Sequence, residues 1–174
     1  MVRIFPLIFI LLWSSAFITT KPIIDNSDPF SALAFRFFFV AIGFYLFSIY
    51  SKHSIIIKRK NLIESVLSGV LFHGLYLGGV FYSISIGMPT GIAALIVTLQ
   101  PVLTSALSGH ILGEKVNTKQ WAGVILGFIG ATLVLGFDVG SDIPLLGLVA
   151  TIVALIAITT STIWQKKLSN NIPL

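Results

Sequence analysis

The sequence has no cysteine among its 174 residues and only six acidic residues. The first absence excludes disulfides, a thiolate nucleophile and cysteine-held zinc or iron–sulfur centres. The second leaves no pair of carboxylates inside any apolar run, and intramembrane acid–base chemistry needs such a pair or Ser and His in register. There is no Gly-x-Ser-x-Gly elbow and no phosphate loop, and His53, His73 and His110 are too scattered to form a metal pair on one helix. The expectation is a protein that is not an enzyme and binds no cofactor. Charge of either sign is scarce as well, at 10% of residues against 56% hydrophobic with a mean hydropathy of +1.00. That is too little polar residue to cover a soluble globule of this size.

What fills the chain is a series of apolar runs, at about 4–20, 30–50, 62–86, 90–112, 119–136 and 144–165, each bounded by charge, Pro or Gly. A spanning helix takes roughly 20 apolar residues, so about six helices consume the sequence and leave short loops. The runs lack the alternation that a closed β-barrel requires. The expected fold is therefore all-α, a polytopic bundle of about six transmembrane helices in membrane lipid. The first run also has the outline of a cleavable signal peptide, with Arg3 ahead of it and Ser14, Ser15 and Ala16 in it, but apolar and hydroxyl residues continue through Thr20 and five more runs follow.

The net charge of +5 does not point to nucleic acid, because the basic residues sit in short loops between apolar runs. They read as topology signals. Nine of the eleven Lys and Arg fall on one side: Arg3, the Lys52 to Lys60 group, Lys115 with Lys119, and Lys166 with Lys167. Lys21 falls opposite, and Arg36 lies within the second run. By the positive-inside rule the N-terminus is cytoplasmic, in a multi-pass protein of the cytoplasmic (inner) membrane. Five helices that start inside finish outside, so the sixth restarts the pattern inverted. Residues 14–21 and 159–166, both hydroxyl-rich and ending in lysine, can be overlaid in that sense. The expected organisation is 1–140 as a first five-helix repeat and 141–174 as the opening of a second, incomplete one.

Several polar residues lie where only apolar ones are inexpensive. Arg36 sits about seven residues into its span, roughly 10 Å past the outer end. A guanidinium there costs on the order of 2.5–3.5 kcal/mol on insertion scales, so it faces a cavity or a partner. It is either an anion anchor or a structural arginine that ties helix ends or snorkels. Gln100-Pro101 falls near the middle of the fourth span, where proline removes a backbone hydrogen bond and disturbs the carbonyl of Val97. The two readings are substrate contact with a hinge, and an ordinary membrane-helix proline. His73 and Tyr76, three apart in the third span, share a face; His73 is either a proton relay or a neutral interhelical hydrogen-bonding group. Trp13 with Ser14 and Ser15 is too deep for an interfacial belt and makes either a cavity wall or helix packing with back-bonded hydroxyls. Glu114, beside Lys115, reads as structural, pairing with basic residues, capping the next helix or latching an inner gate. Gly74 with Gly78, and Gly123 with Gly127, have the spacing of close helix packing, expected within one chain.

Leu12-Trp13-Ser14-Ser15, Pro29-Phe30, Ala34-Phe35-Arg36-Phe37, Gly91-Ile92-Ala93-Ala94-Leu95, Pro101, Leu112-Gly113-Glu114-Lys115 and Gln120-Trp121-Ala122-Gly123 with Gly127 and Gly130 follow one another in an order and spacing that resembles the EamA family of the drug/metabolite transporter superfamily. The resemblance covers essentially the whole chain. It implies ten helices as two inverted five-helix repeats, an arginine near position 36, and transport of small metabolites, commonly outward. This chain resembles the first repeat plus one helix. The implied function is a secondary exporter of a small-molecule substrate by alternating access, acting with a second copy or a missing second half. The other reading is a non-transporting or truncated component that acts only in an assembly. A small multidrug exporter is disfavoured, since no Asp or Glu precedes Asp25.

Overall fold

The computed structural model describes residues 4–51, 59–112, 117–135 and 143–169, all built on helices. They are α1 (Phe5–Asn26), α2 (Pro29–Tyr50), α3 (Arg59–Ser85), α4 in two segments (Thr90–Val97 and Gln100–Leu112), α5 (Thr118–Leu135) and α6 (Leu145–Ser169). Among the described residues five of these are long and apolar enough to cross a membrane, and α5 adds an 18-residue apolar helix. The six expected runs are therefore six helices.

Local chemistry sets where each begins and ends. α1 continues past Thr20, where the apolar run stops, because its last turn is held by polar side chains. Lys21 pairs with Asp25 at 3.2 Å, the Asn26 amide donates to the Pro22 carbonyl at 2.8 Å, and the Ser27 hydroxyl donates to the Ile23 carbonyl at 2.7 Å. These side chains supply end contacts that a helix terminus otherwise lacks. α2 opens with Asp28 as N-cap, its carboxylate accepting from the Ser31 N–H at 2.8 Å, and Pro29 as first residue. That hydrogen bond, followed by the one from the Ser31 hydroxyl, holds the Asp28 carboxyl below its ordinary range. α5 opens with a capping box: the Asn117 side chain accepts from the Lys119 N–H at 3.1 Å, and the Gln120 side chain accepts from the Asn117 N–H at 2.8 Å.

α3 closes on a Schellman turn. The Gly87 N–H donates to the Ile84 carbonyl at 3.1 Å and the Met88 N–H to the Ser83 carbonyl at 3.0 Å. Gly87 takes φ +97°, a conformation that favours glycine. Met88 folds back into the core at 2% exposure. Within α3, Val70–Leu77 is wound as a π-helix, a winding that is rare and concentrates at functional sites.

α4 breaks where proline predicts. Its first segment ends at Val97, Thr98 and Leu99 form a turn, and the Leu99 N–H reaches back only three residues, to Ile96, at 3.1 Å. Helix resumes at Gln100.

The core lies where α3, α4 and α6 meet, with Tyr76, Val80, Ala93, Val97, Ala154 and Ile158 at its centre. α6 is the most deeply seated span, half of its apolar window being inside the bundle, against 6% for α1 and for α2. The apolar surfaces of α1 and α2, among them Leu11, Ile18, Phe35 and Phe47, face outward as lipid-facing surface does. Among the described glycines a close approach of two helices is at Gly79, where a Cβ would stand 3.0 Å from the Ala150 carbonyl oxygen and 3.1 Å from the Ala154 Cβ. The glycine pairs singled out by spacing are not the close contacts. A Cβ at Gly74 or Gly78 would meet only ordinary neighbours, at 3.7 and 3.6 Å, and one at Gly123 or Gly127 would meet nothing within 4 Å. Spacing marks a face that permits close approach, but it does not say which turn of the helix the partner crosses.

Polar groups also join α6 to its neighbours. The Ser161 hydroxyl donates to the Ser68 carbonyl at 2.9 Å, and the two hydroxyl oxygens are 3.0 Å apart. A hydroxyl has one proton, so with that of Ser161 committed, the Ser68 hydroxyl is the donor in the second bond. The Gln165 amide donates to Ser161 as well, at 3.2 Å. Both serines are buried, and no buried side-chain polar atom among the described residues lacks a hydrogen-bond partner.

Candidate functional site

An open cavity of about 1080 Å³ lies between α1, α2 and α3. It is the size of a small-molecule site. Trp13, Arg36, His73 and Tyr76, drawn from three helices, line it together. α1 supplies Trp13, whose ring is 5.5 Å from Phe9 and 6.5 Å, edge-on, from Phe72. The π-helical stretch of α3 supplies Phe72, His73 and Tyr76 within one turn. Their rings interlock: Phe72 lies 5.0 Å from His73 and 5.6 Å from Tyr76, and Phe37 of α2 lies 4.8 Å from His73. Tyr76 is at 2% exposure, while His73 is open to the cavity side.

Arg36 enters from α2, next to Phe37. It lines the same cavity as His73 and Tyr76. Lys21–Asp25 at the far end of α1 is an ion pair, and Arg36 makes none with an Asp or Glu of the described residues. Among the described residues the lining contains no acidic residue; Trp13, through its indole N–H, Thr20, Arg36, His73 and Tyr76 are its polar side chains. Thr20 spends its hydroxyl on the Ala16 carbonyl at 2.7 Å. The arrangement is one fixed positive charge on an aromatic and aliphatic wall, able to hold a small anion with an apolar body.

The remaining sequence candidates stand apart from the cavity. Ser14 is exposed on α1 and does not line it, and the neighbouring Ser15 hydroxyl donates to its own helix, to the Leu12 carbonyl at 2.8 Å. Gln100 and Pro101 are at the α4 break, against α6. There the Gln100 amide donates to Thr104 at 3.1 Å and across to Thr162 at 3.3 Å. Glu114 lies outside the described residues. Sequence reasoning missed Phe72 and Phe37, because 14 phenylalanines in an apolar chain give no local signal. It missed the Ser68–Ser161 contact because pairing between helices so distant in sequence has no local signature.

The family model of the EamA-like transporter family matches residues 3–136. The chain belongs to that family. It is 25% identical over 167 residues to a "Probable amino-acid metabolite efflux pump" of Escherichia coli K12, a match that covers 95% of this chain and 53% of the relative. A protein of the same name from Salmonella typhimurium is 25% identical over 173 residues, covering 96% of this chain and 54% of the relative. An uncharacterized transporter of Bacillus subtilis is 24% identical over 166 residues, covering 94% and 53%. The chain thus spans about half the length of these relatives. No solved structure matches it. Family and helices together make this a multi-pass membrane protein, and the family is one of transporters and not of enzymes.

Proposed function

We propose that this EamA family member exports a small metabolite related to amino acids across the cytoplasmic membrane by alternating access, with the substrate held in the cavity between α1, α2 and α3. The observation that carries the reading is Arg36, an intramembrane guanidinium that lines an aromatic cavity and has no carboxylate partner among the described residues. Charge placed so deep is costly unless it has a task. Arg36 is the anion anchor, Trp13 and Tyr76 are cavity walls, and His73 is the group that couples binding to a proton. The break at Pro101 is the hinge, and the Gln100–Thr162 bond carries its movement to α6. The N-terminus and the basic loops are cytoplasmic.

Residues 141–174 are the start of a second, inverted repeat, and transport requires the rest of that repeat or a second copy. The length relative to the curated relatives, the sparse burial of α1 and α2 and the open glycine face of α5 favour such an assembly. The test is uptake of labelled amino-acid metabolites into inside-out membrane vesicles carrying the chain, or the longer protein if its source makes one. Arg36→Gln, checked for normal insertion, is expected to cut uptake at sub-saturating substrate roughly 10- to 100-fold. Full transport by that variant overturns the anchor, and dependence on pH unchanged in His73→Gln overturns the proton role.

A further inference from the structure

The charges around the cavity restrict what fits it more narrowly than size does. We infer that the site selects amphipathic monocarboxylates that lack an ammonium group, such as 2-oxo or N-acylated relatives of apolar amino acids, over the free amino acids. The inference rests on the cavity reading proposed above and specifies its substrate class.

Among the described residues Arg36 is the single full charge on the lining, and no Asp or Glu of theirs lies there to receive a cation. A carboxylate against the guanidinium completes a charge-assisted, bidentate hydrogen-bond pair in surroundings of low polarity. In a free amino acid the ammonium is bonded to the carbon next to that carboxylate. Seating the carboxylate therefore brings the ammonium close to Arg36 itself, a like charge, with no anion to offset it. The aromatic faces nearby can attract a cation. They are Trp13, Phe37, Phe72 and Tyr76, of which Phe37 and Phe72 already pack against the His73 ring, with centroids 4.8 and 5.0 Å away. A keto or acylamino group at that carbon removes the repulsion, and an oxygen there can accept from the Tyr76 hydroxyl or the His73 ring. The remaining wall of Phe9, Leu12 and Val70 takes an apolar body.

The experiment uses the chain, or the longer protein if its source makes one, in lipid nanodiscs at pH 7 and four probes with one body: 3-phenylpropionate, phenylpyruvate, L-phenylalanine and 2-phenylethylamine. Binding is read by equilibrium dialysis against empty nanodiscs. The two carboxylates without ammonium are expected to bind at least ten-fold more tightly than L-phenylalanine and 2-phenylethylamine. Arg36→Gln is expected to erase that preference, Arg36→Lys to keep part of it, and Trp13→Ala to weaken all four probes alike.

L-phenylalanine that equals or exceeds the carboxylates, with binding still dependent on Arg36, overturns the substrate class and leaves the cavity reading standing. A preference that survives Arg36→Gln overturns Arg36 as its source. Binding of none of the four above empty nanodiscs overturns both the class and the cavity reading. The comparison of head groups on the unaltered protein stands even if an Arg36 variant does not fold.

Discussion

Replacing Gly79 with alanine measures how closely α3 and α6 approach. The added methyl would sit 3.0 Å from the Ala150 carbonyl oxygen and 3.1 Å from the Ala154 Cβ, both tighter than ordinary van der Waals contact. Neither atom ends a flexible side chain, so relief requires the two helices to separate by a few tenths of an ångström. Overpacking of this kind costs about 1–3 kcal/mol. Glycine to alanine inside a helix also returns up to about 1 kcal/mol through backbone propensity, which conceals part of the loss. Gly43→Ala in α2 supplies the correction, because a Cβ there meets nothing within 4 Å and feels propensity alone. The difference between the two variants, read as unfolding free energy in detergent or bicelles, is expected to be about 1–3 kcal/mol with Gly79→Ala the less stable. Ala154→Gly on the Gly79→Ala background should recover part of it, and not all, since the contact with the Ala150 carbonyl remains. Gly79→Ala and Gly43→Ala equal within about 0.5 kcal/mol would refute the close approach and the central seating of α6.

In transport, Arg36→Gln removes a charge-assisted contact of about 1.5–3 kcal/mol and should lower substrate affinity roughly 10- to 100-fold, measured as a rise in half-saturating concentration. Ser161→Ala strips the Ser68 hydroxyl, the Ser68 carbonyl and the Gln165 amide of a shared partner; a stability loss of about 1–2 kcal/mol is expected, and a loss below a few tenths would show the cluster to be replaceable by water or lipid. Pro101→Ala should let the fourth helix straighten, raising thermal stability while slowing transport several-fold, and unchanged transport would remove the hinge. Asp28→Ala should destabilise the protein at neutral pH while Asp28→Asn, which keeps a cap acceptor, should not. Because the Asp28 pKa is lowered on folding, its contribution is complete above the unfolded carboxylate value near 4 and fades as pH falls through the lower folded value. The gap between unaltered protein and Asp28→Ala should therefore close in acid, and a gap that is constant with pH counts against the capping role.

The membrane spans were legible because length and apolarity are local properties: each run at 30–50, 62–86 or 119–136 became a helix with ends within a few residues of its bounding signals. The break at Pro101 was legible for the same reason, a missing N–H being a fact of one residue. α1 ran longer than its apolar run because Lys21, Asp25, Asn26 and Ser27 carry the helix on by polar bonds that hydropathy scores as a stop. What could not be read was tertiary. Lipid and protein interior are equally apolar, so composition does not say that α6 is central while α1 and α2 are peripheral. It gave Trp13, Arg36, His73 and Tyr76 as separate anomalies, and their convergence on one cavity depended on how three helices cross. The π-helical winding that presents Phe72, His73 and Tyr76 leaves no composition signature, since Val70–Leu77 is an apolar stretch like those of the other spans.

The central place of α6 also bears on how the chain is made. Membrane helices leave the ribosome in order, and here the residues that close the core, Ala154, Ala157 and Ile158, come long after the partners they cover, Tyr76, Val80 and Ile84. At roughly 5–20 residues per second that interval is on the order of 4–15 s. During it Ser68 and Gly79 lack the α6 partners that cover them in the finished bundle, an interval in which a membrane chaperone or quality-control protease could act. A mutation that weakens the α6 contacts should therefore reduce the amount of protein in the membrane before it alters any property of the molecules that mature.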